Sequence, residues 1–341
     1  MNLPVGSESP TDAITKMTFG YRNTQALYVV AKLGVADLLV RGPARCKELA
    51  NELGVQQRPL FRVMRALAAQ GVFTQDTSDR FGLTPVGQLL RTDVPDSLRY
   101  FAISVGEESY RAAGELLHTV RTGEVAFRYL YGKSHFEYLA ENPEASRAFN
   151  LFMAQGLRRG GDALESYDFT SKTLVVDVGG GQGTLIAKVL AANPALKGVL
   201  YDLPQGVAEA RAYLEGAGVG GRCQVVSGSF FDAVPPGGDV YVLSRVLHDW
   251  SDEDAKAILL NCRKAMADGG RVLVVEAVIP EGDAPSFAKE RDLTMLFMLG
   301  GMERTEREWR SLFAEAGLAV SKIVKTGKSL DLIEGAPTLA P

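Results

Sequence analysis

Val176-Asp177-Val178-Gly179-Gly180-Gly181-Gln182-Gly183-Thr184 is the stretch on which the fold turns. The apolar run that leads into it, from Leu174, suits a buried β-strand, and residues 185–191 after it suit a helix. Glycines between them let the main chain turn tightly and approach a ligand with no Cβ in the way. Further out, β-rich runs at 198–202, 240–243 and 271–275 alternate with helical patterns at 206–214, 252–266 and 306–316. The early strands are apolar nearly throughout, as parallel strands covered on both faces are. The fold class this predicts is α/β, a doubly wound Rossmann-like sheet with its ligand at the carboxyl ends of the strands.

The glycine spacing narrows the ligand. A dinucleotide fingerprint, G-x-G-x-x-G, needs glycine at 184, where this chain has Thr184, and no GK[ST] is present for a phosphate-binding loop. S-adenosylmethionine fits better, because it carries a ribose and an amino acid but no phosphate. Asp177, just ahead of the loop, is placed to attract the cationic methionyl end directly or through water. Asp202 closes the next strand, about 20 residues past the glycines, where nucleoside-binding sheets hold a ribose.

The first hundred residues read differently. Helical patterns at 13–33, 45–53 and 59–70 stop near Gly34, Gly54 and Gly71, and two short strands flank Asp76-Thr77-Ser78-Asp79. Helix, helix, hairpin is the order of a winged helix. Between Arg45 and Arg91 seven basic residues face four acidic ones. A surplus of three is thin for a DNA reader, whose affinity rests on neutralising phosphates. The expectation is a helical scaffold that packs on a partner, with a ligand-sensing regulator as the competing reading. Residues 1–105 are assigned to this winged-helix-like part. Residues 106–341 are assigned to a helical connector, to about 167, and the catalytic domain.

Composition agrees. The 341 residues suit two domains, and 46% hydrophobic with 23% charged is ordinary for a globular chain. With 37 Lys+Arg against 41 Asp+Glu, the net charge of -4 gives no reason to expect nucleic acid or an anionic membrane as partner. Cys46, Cys223 and Cys262 are too few and too scattered for a disulfide framework or a metal site. No apolar run approaches the ~18 residues that span a bilayer, and the first residues lack the features of a signal peptide. A cytoplasmic setting is expected.

Of the three histidines, His118 and His135 fall in the connector, where surface or packing roles are expected. His248 lies in Leu247-His248-Asp249-Trp250-Ser251-Asp252, just before a helix that Ser251 and Asp254 can cap. That puts it on the ligand face of the sheet.

Taken in order, Gly179–Gly183, Asp202-Leu203-Pro204, Gly228-Ser229-Phe230-Phe231, the His-Asp-Trp element and Gly300-Gly301-Met302-Glu303-Arg304-Thr305 resemble the small-molecule O-methyltransferases. These are the plant phenolic enzymes and their bacterial natural-product relatives. Residues 132–139 through Phe149 and Met153 are similar to that family's helical connector. The resemblance implies that the first part dimerises, making a homodimer whose partner can lend residues to the acceptor pocket. It implies His248 as general base, with Glu276 and Glu303 beside the imidazole and no metal. It implies cofactor contacts from Asp177, Gly179, Gly181, Asp202, Leu203, Ser229, Phe230, Ser244 and Arg245, and S-adenosylhomocysteine as product. For the aromatic acceptor it implies Phe149, Met153, Asp249, Met295, Met298 and Leu299.

Two departures stand out. Ser229 replaces an acid that many relatives carry after the glycine, and Ser244 replaces the lysine of plant members. Glu276 also suits a structural ion pair, and Met295, Phe297, Met298 and Met302 also suit plain core packing. Related scaffolds also support hydroxylation or decarboxylation, which is the alternative chemistry.

Overall fold

The computed structural model describes residues 9–327 and 330–338, and only the backbone of 154–162 and 166. The chain divides into two compact units. One takes the residues up to Arg111 together with Asn142–Gln155, and the other takes Ala112–Glu141 and everything from Gly156 onward.

In the first unit, Ser9 caps the helix Pro10–Leu33 by accepting from the Asp12 amide, and Gly34 ends it at φ 71°. Helices Cys46–Leu53 and Gln57–Ala69 follow, then the antiparallel pair Phe73–Gln75 and Arg80–Leu83. This is the winged-helix order that the sequence predicts. A third strand, Ala44–Arg45, pairs with Arg80–Phe81; two residues are too short to show alternation. Leu49, Leu60, Met64, Leu67, Phe73 and Phe81 form the core. The leading half of the first helix stays outside it, with Ile14, Met17, Phe19 and Tyr21 between 42% and 72% exposed.

The second unit is built on a seven-stranded sheet: β1 (Leu174–Val178), β2 (Lys197–Asp202), β3 (Cys223–Ser227), β4 (Val240–Ser244), β5 (Arg271–Glu276), β6 (Leu318–Val324) and β7 (Asp331–Pro337), in the order β6-β7-β5-β4-β1-β2-β3. The first five are parallel, while β7 runs antiparallel to β5 and β6. Helices Thr184–Ala192 and Ala210–Gly216 bury one face, and Asp252–Ala265 and Glu306–Glu315 bury the other. The strand order reverses at β1, which lies between β2 and β4, so the crevice for a ligand opens at its carboxyl end.

Three strands escape the sequence pattern. Edge strands β3 and β6 carry polar residues on exposed positions, and β7 runs through Gly335 to Pro337, residue types that read as loop. The helix expected at 206–214 begins at Ala210. A Cβ on Gly206 would stand 2.7 Å from the Asp202 carboxylate, so the chain there turns closely over β2. Among the described residues, no helix is long and apolar enough to cross a membrane.

Candidate active site

Two acidic clusters lie at the carboxyl ends of the parallel strands. The first belongs to β1 and β2. Asp177 is buried, and among the described residues neither of its carboxylate oxygens makes a close hydrogen bond, the Ile186 amide being the one polar group that bears on it. The glycine loop lies directly on it, so a Cβ at Gly180 would come within 2.5 Å of Oδ2. Burial, with the nearby Asp202 charge, pushes the Asp177 carboxyl up to about 7. Asp202 is held facing the loop: its Oδ2 accepts from the Gly181 amide at 2.8 Å and its Oδ1 from the Leu203 amide at 2.6 Å. Leu203 is exposed beside it.

A buried carboxylate with no side-chain cation beside it, under a loop of small residues, fits a cationic ligand group above that loop. An oriented, half-buried Asp202 fits a diol. Both match S-adenosylmethionine.

After β3, the Ser229 hydroxyl accepts from the Phe231 amide at 3.3 Å, and Phe230 packs edge-to-face on Phe231 and Trp250. Asn261 ties this turn to the helix behind it by donating to the Phe230 and Phe231 carbonyls. Ser244 ends β4. Arg245 follows at φ 56°, its amide donating to the Val275 carbonyl, and its charge acts on Glu276 and Asp249.

The second cluster surrounds His248. The imidazole sits in a short turn, Leu247–Asp249, directly after β4. Its Nδ1 lies 2.8 Å from Glu303 Oε1 and 3.2 Å from Glu276 Oε2, and its Nε2 is 3.3 Å from Asp249 Oδ1. A carboxylate only accepts, so Nδ1, with the nearest carboxylate oxygen, is placed to donate to Glu303, and Nε2, facing Asp249, carries the second proton when the ring is charged.

Glu276 and Glu303 are far apart in the chain and meet through a short parallel bridge, in which Arg304 pairs with Val278 and Thr305 with Ile279. Gly301 lets that bridge close. A Cβ there would stand 2.0 Å from the His248 carbonyl and 2.6 Å from the Trp250 amide. The fully buried Arg304 fixes the same turn from below, donating to the carbonyls of Leu247 (2.9 Å) and Trp250 (3.1 Å) and to Asp252 (2.8 Å). Thr305 and Glu308 then form a complete capping box for the next helix.

Two partners escape the sequence reading. Arg291 Nε donates to Glu303 Oε1 at 2.5 Å, and Asp292 Oδ1 accepts from the Glu303 amide at 2.8 Å. Both lie on the helix Phe287–Met298. Residue spacing carries no sign of this pairing, because Arg291 and Asp292 are half of the charged run Lys289-Glu290-Arg291-Asp292.

The electrostatics follow from the packing. Burial alone depresses the His248 imidazole, but the charges of Glu276 and Asp249 and the hydrogen bond to Glu303 outweigh it, raising it to about 9. Burial raises the Glu303 carboxyl, yet His248 and Arg291 more than reverse this and bring it below its ordinary value. Glu276, with fewer close partners, is driven up by burial. Burial also raises Asp249, to about 6. His248, Glu276 and Glu303 lie close enough to hold a metal ion, but the Arg291 guanidinium already supplies a cation to Glu303.

The remaining expected residues scatter. Met295 and Met298 are buried, and Met298 and Leu299 pack with Ala126, Phe127 and Phe297 in a small apolar cluster. Phe149 and Met153 fall on the helix Pro143–Gly160, in the segment that groups with the first unit. His118 stacks on Tyr129 and contacts Glu124 at 2.8 Å, while His135 is buried edge-to-face on Phe127.

Comparison with known families agrees with this geometry. The model of the O-methyltransferase domain matches residues 114–319, and that of the O-methyltransferase dimerisation domain matches residues 15–93. This chain belongs to the S-adenosylmethionine-dependent O-methyltransferases. A phenazine O-methyltransferase of Lysobacter antibioticus is 44% identical to this methyltransferase over 337 residues, 98% of this chain and 99% of its own. An 8-amino-8-demethylriboflavin N,N-dimethyltransferase of Streptomyces davaonensis is 37% identical, with 90% of each chain covered. Among solved structures, an O-methyltransferase from neocarzinostatin biosynthesis, in complex with S-adenosylmethionine and 2-hydroxy-5-methyl naphthoic acid, superposes with a TM-score of 0.86. It is 36% identical, and the match covers 98% of this chain and 100% of that one.

Proposed function

We propose that this methyltransferase methylates a phenolic hydroxyl of an aromatic small molecule, with His248 as general base. The observation that carries this reading is the imidazole whose Nδ1 faces Glu303 at 2.8 Å and Glu276 at 3.2 Å.

A phenol with a pKa near 10 and an ordinary imidazole near 6.5 differ by about 3.5 units, so handing over the proton would cost about 5 kcal/mol. With His248 raised to about 9, the mismatch falls to about 1 unit, or about 1.4 kcal/mol. The ring is then protonated at neutral pH, so the gain is realised as the pH rises toward 9, where the neutral imidazole is a base matched to a phenol. Nδ1 keeps its proton on Glu303, Nε2 takes the acceptor's proton, and the new imidazolium is balanced by carboxylates already in place. Bound S-adenosylmethionine supplies an electrophilic methyl group. Asp177 and Asp202 orient its methionyl and ribose parts, with Gly179, Gly181, Leu203, Ser229, Phe230 and Ser244 around them. Asp249, Met295, Met298 and Leu299 are the proposed acceptor contacts from the second unit.

A nitrogen acceptor is the second reading, favoured by the aminoriboflavin-methylating relative. An aromatic amine attacks through a free lone pair and needs no base beforehand, so a His248→Ala variant would spare it. We also infer a homodimer through the first unit, whose leading helix leaves Ile14, Met17, Phe19 and Tyr21 uncovered. Sedimentation at micromolar concentration would give twice the chain mass.

Radiolabelled methyl transfer to a panel led by hydroxyphenazines and hydroxynaphthoates tests the function. Products heavier by one methylene unit support it. Products heavier by oxygen, or lighter by carbon dioxide, would replace it with hydroxylation or decarboxylation.

A further inference from the structure

Glu303 is gripped from both ends by one helix. Arg291 Nε reaches its Oε1, the same oxygen that faces His248 Nδ1, and Asp292 holds its amide. The Arg291 side chain is only 17% exposed and Glu303 not at all, so water does little to screen the contact.

Counting charges around the imidazole gives the role. With all three carboxyls ionised, Glu276 at the end of β5, Asp249 in the histidine turn and Glu303 contribute three negatives, Glu276 the least firmly because burial raises it to about 7. Arg245 after β4 and Arg291 contribute two positives. Asp292 stands behind Glu303, and Arg304 is taken up by Asp252. The imidazolium brings the inner set to zero, so the cluster is balanced by one proton. Without Arg291 it would be one charge short, and the imidazole would hold its proton to higher pH.

We propose that Arg291 is a positioning residue: it aims the Glu303 carboxylate at His248 and limits the negative charge there, which sets the pH at which the imidazole releases its proton. The proposal rests on His248 acting as base only for its consequence in turnover; the charge balance itself is read on the imidazole.

The test uses the full-length enzyme bound to S-adenosylhomocysteine, with 15N-labelled histidine, and compares wild type, Arg291→Gln and Arg291→Lys. The His248 resonance is identified by its loss in His248→Gln. Arg291→Gln should move the His248 midpoint up by at least half a pH unit and lower kcat about tenfold for a phenol acceptor, with the rising limb of kcat/KM shifting upward in step. Arg291→Lys, which keeps the charge, should recover most of the midpoint. The proposal is overturned if the midpoint stays put in a folded Arg291→Gln enzyme, or if Arg291→Lys behaves like Arg291→Gln. If the midpoint moves while the kcat/KM limb does not, the base assignment of His248 fails and the charge-setting role of Arg291 stands.

Discussion

The two acidic clusters at the strand ends differ in how they are satisfied. Around β1 and β2 the carboxylates meet only main-chain amides: Asp202 takes two, and among the described residues Asp177 makes no close hydrogen bond. Around β4 and β5 they meet side-chain cations, from His248 and Arg291 on Glu303 and by the field of Arg245 on Glu276. The first cluster lacks a positive charge and fits a ligand that brings one. The second balances its own charge when the His248 imidazole carries its second proton. One end therefore reads as binding and the other as chemistry, and they should break separately.

The largest effect should come from His248→Ala. With a phenol acceptor, kcat should fall about 10²- to 10⁴-fold, the usual range for a general base, while calorimetric binding of S-adenosylhomocysteine changes less than threefold. Equal losses in both would erase the distinction. Next, Asp202→Asn should weaken S-adenosylhomocysteine binding about 10- to 100-fold, as loss of a charged hydrogen-bond acceptor does, and leave the pH profile of kcat/KM unmoved.

The pH profile sharpens the contrast further. With its pKa raised to about 9, the His248 imidazole is protonated in the free enzyme at neutral pH, so kcat/KM should climb with pH toward 9. Removing an anion beside an imidazolium favours its neutral form, so Glu303→Gln should shift that limb down by a unit or more while kcat drops. The smallest effect belongs to Ser229→Asp. Restoring the acid that many relatives carry should tighten S-adenosylhomocysteine about two- to fivefold and leave kcat as it is.

The sequence exposes these clusters unequally. The binding end is one strand, one glycine loop and the tip of the next strand, so Asp177, Gly179, Gly181 and Asp202 are legible together in about 25 residues. The histidine end is assembled from three segments that only the sheet and the bridge at Arg304–Thr305 bring together. His248 is legible from its place before a capped helix and Glu276 and Glu303 emerge through family resemblance, whereas Arg291 and Asp292 do not, because the helix pairing that brings them to Glu303 leaves no local pattern. The same holds for the fold: apolar β1, β2, β4 and β5 are plain, while β3, β6 and β7, with polar, glycine and proline residues, are not.

The pKa of His248 tests the central claim most directly. With three histidines in the chain, a 15N titration of the complex with S-adenosylhomocysteine can follow His248 alone. The charge-balanced cluster predicts a midpoint near 9 with the proton retained on Nδ1 in the neutral form. A midpoint at or below the ordinary 6.5, or a neutral form protonated on Nε2, would contradict it.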